Sequence, residues 1–464
     1  VNRLLTEESN PENANDPPGP SLKELAGDAR LIQKNPLSYL EKCSEKYGSL
    51  VGFRLGPKRA YLINQADAVK QILQDNSRNY TKATLQWSSL ASITGQGLLT
   101  SDGETWLRQR RLAQPAFHRQ RIDQLAGTIQ EAARAMLERW EAKENPSAAI
   151  DVDREMMRLT LEIVGKALFS IDLRSQASEL TSAVVVALDH IVGRVRNPFS
   201  PPGFIPTRSN RLFRSALQSL DRAVYKMIQD RRAAGDPGND LLGMLLQARD
   251  EETGKQMDDR QIRDEIITIL IAGHETVASA LSWTWYLLAI HPPVREQLDM
   301  ELTSVLGNNK PVSNDIQRLG LTRAVIDEAL RLYPPAWLIT RKAVGDDNLG
   351  DYRIQAGALM IISPFLLHRS PEYWKNPQVF NPARFLGVAG AERPRYAYIP
   401  FGGGPRMCIG NSFALLEARL ILAMVAQRYR LRLAPGASIK PEALVTLRPQ
   451  HGLAMLLDPG PIHA

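Results

Sequence analysis

A helix over Asp259–Ile290, closed by His291-Pro292-Pro293, sets the scale of any fold this chain adopts. At a rise of ~1.5 Å per residue it spans roughly 48 Å, enough to cross a whole domain. Its middle, Ile269–Ala272, is apolar on every side and must be buried there. Such a helix needs other helices around it, and the 464-residue chain supplies them. From Ala66 to about Leu330 the apolar residues recur mostly at helical spacing. Asp123–Lys143, Asp153–Ser170 and Ser209–Ala234 each carry such a stripe. Pro198, Pro201, Pro202 and Pro206 interrupt the pattern and mark a loop between two helices.

Strand signals are few. Ser49–Arg54 and Ala60–Ile63 read as two short strands around a turn at Gly56-Pro57-Lys58-Arg59. Another helix precedes Pro334-Pro335, short strands and loops follow, and one more helix is expected over Ile409–Arg428. Strands near Tyr429–Leu433 and Leu453–Leu457 finish the chain. With no internal repeat or low-complexity linker, residues 21–464 read as one large, mainly α domain with a small β portion. Residues 1–20 read as a disordered leader ending in Pro17-Pro18-Gly19-Pro20.

The first sixteen residues are polar and acidic, which fits neither a signal peptide nor an anchor. No window approaches ~18 consecutive apolar residues. Two cysteines far apart in sequence, Cys43 and Cys408, argue against a disulfide framework and fit a reducing cytoplasm. The net charge of +7 is spread along the chain. That pattern suits a solvated surface, or a docking face for an acidic partner. No nucleic-acid reader motif is present.

The strongest chemical signal is Phe401-Gly402-Gly403-Gly404-Pro405-Arg406-Met407-Cys408-Ile409-Gly410. Glycines let the backbone take positive φ and pass close to a flat ligand. A cysteine at a helix N-terminus feels the positive end of the dipole, which favours a thiolate. Arg406 adds positive charge. A thiolate so placed can ligate haem iron and push electron density toward it. Spacing alone leaves other readings open: a small buried cysteine, a phosphate cradle, or a degraded nucleophile elbow around Ser412. That elbow needs a strand before the serine and alternating β/α structure, and neither is read here.

The same ten residues resemble the haem-binding signature of the cytochrome P-450 superfamily, Phe-x-x-Gly-x-Arg-x-Cys-x-Gly. The resemblance implies the triangular, mostly helical fold of that superfamily and a haem b cofactor. It implies Cys408 as the iron ligand, Arg406 on a haem propionate, and Phe401 and Gly402 beside the sulfur. Three further matches follow the family's order. Gly103-x-x-Trp106-x-x-x-Arg110 implies propionate donors at Trp106 and Arg110, with Arg341 a further candidate. Ala272-Gly273-His274-Glu275-Thr276 implies Thr276 and Glu275 above the iron, delivering protons to bound oxygen. Independently, Gly273 would let a ligand approach the helix, and Thr276 could bond a carbonyl one turn back. Glu328-x-x-Arg331, with Asn381-Pro382-Ala383-Arg384-Phe385, implies a buried structural network of Glu328, Arg331 and Arg384. His274 takes the variable position and His368 reads as structural.

The implied activity is monooxygenation: one oxygen atom of O2 goes into a hydrophobic substrate, such as a fatty acid, terpenoid or polyketide-like molecule. Trp87, Leu90, Leu98, Leu99, Ala272, Trp337 and Leu338 are the candidate pocket residues, each equally readable as core. Only about thirty-five residues follow the last helix. Electrons are therefore expected from a separate ferredoxin or flavodoxin with its reductase. Two rivals share the fold. A peroxide-driven peroxygenase would replace the acid–threonine pair, and a non-catalytic haem-thiolate gas sensor would need no proton relay. A hydrolase using Ser412 is the rival on another fold.

Overall fold

The computed structural model describes residues 16–460, apart from 56–57, 146, 171–176, 198–199, 236–237, 239, 251–253 and 388–392. Gly56, Pro57 and Pro198 of the sequence reading therefore lie outside the described residues.

Nine helices frame the site, and we label them in chain order. They are α1 (Leu85–Thr94), α2 (Gly103–Ala113), α3 (Ala126–Glu141), α4 (Val152–Phe169), α5 (Ala177–Arg196), α6 (Arg208–Ala233), α7 (Asp259–Ile290), α8 (Gly320–Leu332) and α9 (Asn411–Arg428). Asp258 starts α7 by accepting the Gln261 amide, satisfying an end donor that the helix cannot satisfy itself. The Pro292-Pro293 pair then prevents the helix from running on. Helix α7 has the length and apolarity of a membrane span, yet 83% of its apolar window is buried inside the protein. It packs most extensively on α4. Together with α3, α6, α8 and α9 these helices form one continuous apolar core.

The main sheet has five short strands: β1 (Leu50–Leu55), β2 (Lys58–Ile63), β3 (Tyr80–Thr81), β4 (Ile339–Ala343) and β5 (Leu359–Ile362). Their spatial order is β1-β2-β5-β4-β3. The β2–β5 pair is parallel, with Ala60 opposite Leu359, and the other pairs are antiparallel. A hairpin of Pro441–Ala443 and Leu447–Pro449 lies against α7. The Leu447 carbonyl there accepts both the Ser279 hydroxyl and the Trp283 indole N–H.

Several boundaries differ from the sequence reading. The stripe read over Asp123–Lys143 is two helices, Arg119–Gln124 and α3. The last helix starts at Asn411 rather than Ile409. The two-residue strands β3 and Ile150–Asp151 lie inside the stretch read as helical, too short to leave a periodic signal. Residues 16–20, read as part of a disordered leader, run along β1. The Pro18 carbonyl accepts the Gly52 amide, and Asp16 pairs with Arg54 and Arg59.

Candidate functional site: a thiol, four cations and the break in a long helix

The glycine-rich loop holds Cys408 just ahead of α9. The Cys408 amide donates to the Phe401 carbonyl at 3.0 Å, closing the loop on itself. Gly404 has φ +64°, and a Cβ there would sit 1.8 Å from the Leu73 carbonyl oxygen. A side chain at Gly404 is thus excluded twice, by dihedral and by contact. Gly402, at φ +72°, needs glycine for its dihedral alone. The Tyr396 hydroxyl accepts the Gly404 amide and donates to Gln74, tying the loop to the π-helical turn Gln71–Asp75.

The Cys408 side chain is accessible although it sits deep in the protein, so it faces an interior hollow. Burial pushes its thiol up, against the opposing pull of the Gly410 amide and Arg110. The Gly410 amide and Arg110 favour the charged form, as the sequence argument expected, while desolvation opposes it.

Joined to Cys408 through Arg110 is a cluster of four cations and one acid, Asp102. Arg406 donates to the Ser101 carbonyl at 2.8 Å, pairs with Asp102 and lies 3.9 Å over the Trp106 ring. Arg110, one turn beyond Trp106 on α2, donates to the Met407 carbonyl at 3.0 Å. Arg341 on β4 is almost wholly buried and, among the described residues, donates only to the neighbouring Thr340 carbonyl. Burial, then the charge of Arg406, pushes Arg341 down to about 10. Arg406 is pushed down to about 10 as well, chiefly by burial.

The fourth cation, Lys82, was not identified from sequence. Its ammonium donates to the Leu99 carbonyl at 2.5 Å and sits 4.5 Å from the Trp87 ring centroid. Burial, reinforced by Arg341 and Arg406, drives it well below its ordinary range. A lone lysine after a short strand carries no motif, so only the fold reveals it. Two buried cations, Lys82 and Arg341, and two half-buried ones, Arg110 and Arg406, stand against the Asp102 carboxylate among the described residues, which leaves this cluster short of negative charge. A group bearing two carboxylates, with a metal within reach of Cys408, fits the pocket, as the propionates and iron of haem would.

The middle of α7 also shows an accessible face. Ala272, Gly273 and Thr276 are partly accessible in a run of buried neighbours. The Thr276 hydroxyl donates to the Ala272 carbonyl at 2.7 Å, as its position one turn later suggested. Gly273 has a second reason beside the one read in the sequence. A Cβ there would lie 3.0 Å from Val164 of α4, so the glycine admits a neighbouring helix. The Thr160 hydroxyl of α4 donates to the His274 carbonyl at the same crossing. Glu275 does not meet Thr276 through a hydrogen bond. Its carboxylate accepts the Thr446 hydroxyl at 2.9 Å, from the C-terminal hairpin. Burial pushes Glu275 up to about 7, against Thr446 and Arg448. Arg448 in turn pairs with Asp153. Thr446 is a second residue that the sequence reading missed, being 171 residues away.

The pocket candidates divide. Leu98 is buried and Leu99 partly so, on the loop whose carbonyls meet Lys82 and Arg406. Trp87 donates its indole N–H to the Thr340 carbonyl at 2.9 Å, and its faces serve Lys82 and Arg341. It thus joins the cation cluster while also packing against the main apolar core. Leu90 is buried in the main core. Trp337 is core too, packed with Leu37 and Phe365 in a separate cluster and donating to the Leu444 carbonyl. Leu338 packs at the edge of that cluster.

Glu328 and Arg331 are fully buried and joined by two hydrogen bonds of 2.7 and 2.8 Å. Arg384 reaches Glu328 at 3.3 Å. Arg331 also donates to the His368, Pro377 and Val379 carbonyls. His368 is buried neutral; burial, then Arg331 and Arg369, pushes it down to about 3, and its Nε2 accepts the Ile399 amide. Ser412 is bonded to its neighbour Asn411, and no strand precedes it, which removes the elbow.

Comparison with known proteins agrees with this geometry. Residues 17–455 match the cytochrome P450 family. Cyclooctatin synthase of Streptomyces melanosporofaciens is 40% identical, with 91% of each chain covered. Pentalenene oxygenase of Streptomyces avermitilis is 33% identical, covering 92% of this chain and 94% of that one. Among solved structures, the cytochrome P450DA heme domain superposes with a TM-score of 0.87 at 28% identity, covering 97% and 99% of the two chains. A thiol in a deep hollow, an excess of cations and this likeness over nearly the whole length lead to one family: the chain belongs to the cytochrome P450s and is a haem-dependent monooxygenase.

Proposed function

We propose that this monooxygenase oxidises a terpenoid, with Cys408 as the residue that would ligate the haem iron and electrons from a separate ferredoxin or flavodoxin. The substrate class rests on relatives named for cyclooctatin, cyclooctat-9-en-7-ol and pentalenene. The residue roles rest above all on one observation: the Cys408 sulfur feels Arg110, which adjoins a run of further cations, Arg406, Arg341 and Lys82, with Asp102 as their acid.

In this reading Arg110, Arg341, Arg406 and Lys82 hold the two haem carboxylates, and Trp106 supports Arg406 from beneath. The bound haem supplies the oxygen-activating chemistry. The chain's own work is to place protons and exclude water. Thr276 holds a proton at Oγ1 at the accessible face of α7. Glu275, poised near neutrality, exchanges a proton behind it. Ala272 leaves room for an apolar substrate above the sulfur. The cytoplasm is the proposed compartment, and two free cysteines suit its reducing milieu.

The test is the carbon monoxide difference spectrum of the reduced protein. The wild type is expected to give the thiolate-type band, and Cys408→Ala to lose it. A thiolate band that survives in Cys408→Ala rejects the ligand. Turnover driven by hydrogen peroxide, and not by a reduced redox partner, would favour the peroxygenase reading.

A further inference from the structure

The loop Gly95–Ser101 is gripped by two adjacent acids of α7. The Gln96 amide donates to Asp264 at 2.8 Å, and the Leu98 amide donates to Glu265 at 3.0 Å. Both glycines of the loop are there for that grip. A Cβ on Gly95, which has φ +60°, would sit 2.1 Å from the Asp264 carboxylate. A Cβ on Gly97 would meet the Thr268 hydroxyl at 2.1 Å. From the other side, buried Gln109 of α2 donates to the Gln96 carbonyl at 2.6 Å and accepts the Ser101 hydroxyl at 2.5 Å. Arg263 ties Asp264 to Asp221 of α6, so the grip continues into a second helix.

What the loop carries gives the grip its meaning. Its Leu99 carbonyl takes the Lys82 ammonium, and its Ser101 carbonyl takes the Arg406 guanidinium. Leu98 and Leu99 are its apolar side chains beside the same space. Glu265 is fully buried, and its second oxygen has no hydrogen-bond partner among the described residues. Burial, with the negative charge of Asp264, pushes it up to about 8. A neutral carboxyl accepting one amide is what remains, and a glutamine reproduces that arrangement. The Glu328–Arg331 pair explains its buried acid by two charged partners; Glu265 has no such partner, so its retention in the core calls for another reason.

We propose that Glu265 is a positioning residue: through the Leu98 amide it fixes the Gly95–Ser101 loop, and so sets Leu98 and Leu99 over the substrate space and Lys82 and Arg406 at the haem edge. The idea rests on the haem-thiolate reading above and names the part of the scaffold that holds the site's rim in register.

The experiment compares the haem-loaded wild type with Glu265→Leu and Glu265→Gln. Three readouts are taken: hydrogen exchange at the Leu98 amide, the rate of haem transfer to apomyoglobin, and binding of 4-phenylimidazole followed by its spectral shift. In Glu265→Leu, exchange at Leu98 is expected to rise at least tenfold, haem loss to quicken severalfold and the azole to bind about tenfold more weakly. Glu265→Gln is expected to restore all three to within about twofold of wild type. Leu98 exchange in Glu265→Leu equal to wild type overturns the proposal. Equal damage in the two variants overturns it as well, since packing rather than the amide bond would then be at stake. A wild type without a thiolate-type carbon monoxide band would sink the haem-thiolate reading instead, and the Leu98 exchange comparison would still judge the grip.

Discussion

Thr276 and Glu275 are neighbours in sequence that face different surroundings. One hydroxyl is bonded back into its helix beside accessible Ala272, and one carboxyl is sealed against Thr446. Their variants should fail differently. Thr276→Ala should keep consuming O2 and reducing equivalents while product per O2 falls severalfold, because the proton source at the accessible face is gone. Measured coupling equal to wild type would reject the role. Glu275 bears on stability as well. The unfolded chain releases this proton near its ordinary 4.5, whereas the folded chain keeps it to about 7. The folded state therefore gains stability below pH 4.5 and loses it as the pH rises through 7, by about 3 kcal/mol at most. Denaturant melts of Glu275→Gln should show a flatter pH dependence across that window than the wild type. Identical slopes would contradict a raised Glu275.

At the scale of elements, legibility in the sequence followed how local the cause was. The bounds of α7 were read correctly because an apolar run, a capping Asp258 and a Pro-Pro stop all lie within it or beside it. The glycine–cysteine loop was readable for the same reason. Lys82 and Thr446 were not, because each acquires its meaning from partners brought in by the fold. The sequence shows at Gly273 a missing side chain, but not Val164 on the facing helix, whose approach the glycine also admits. The Glu328–Arg331–Arg384 network joins α8 to the segment around Asn381, and Glu328 has no route to solvent. Glu328→Ala would strand Arg331 in the core and deprive half-buried Arg384 of its acid. A loss of about 3–5 kcal/mol is expected in denaturant unfolding, against well under 1 kcal/mol for an exposed pair such as Lys226–Asp230. A loss of that small size at Glu328 would show the network to be replaceable.

For the molecule as a whole, the sequence conveyed a helical body with a minor sheet, and the five-stranded order of that sheet came only from the structure. The +7 charge also belongs to this scale. If an acidic electron donor docks by charge, its reduction rate should fall steeply as ionic strength rises, since a Debye length of about 10 Å at 0.1 M screens separated surface charges. A rate indifferent to salt would rule out electrostatic steering. The parallel register of β2 on β5 has a consequence for how the protein is made. Ala60 waits for Leu359, almost three hundred positions later, before its free edge is covered. A nascent chain therefore carries a hairpin with one open edge through most of its synthesis, and a ribosome stalled before that point releases a product prone to sticking to its own kind.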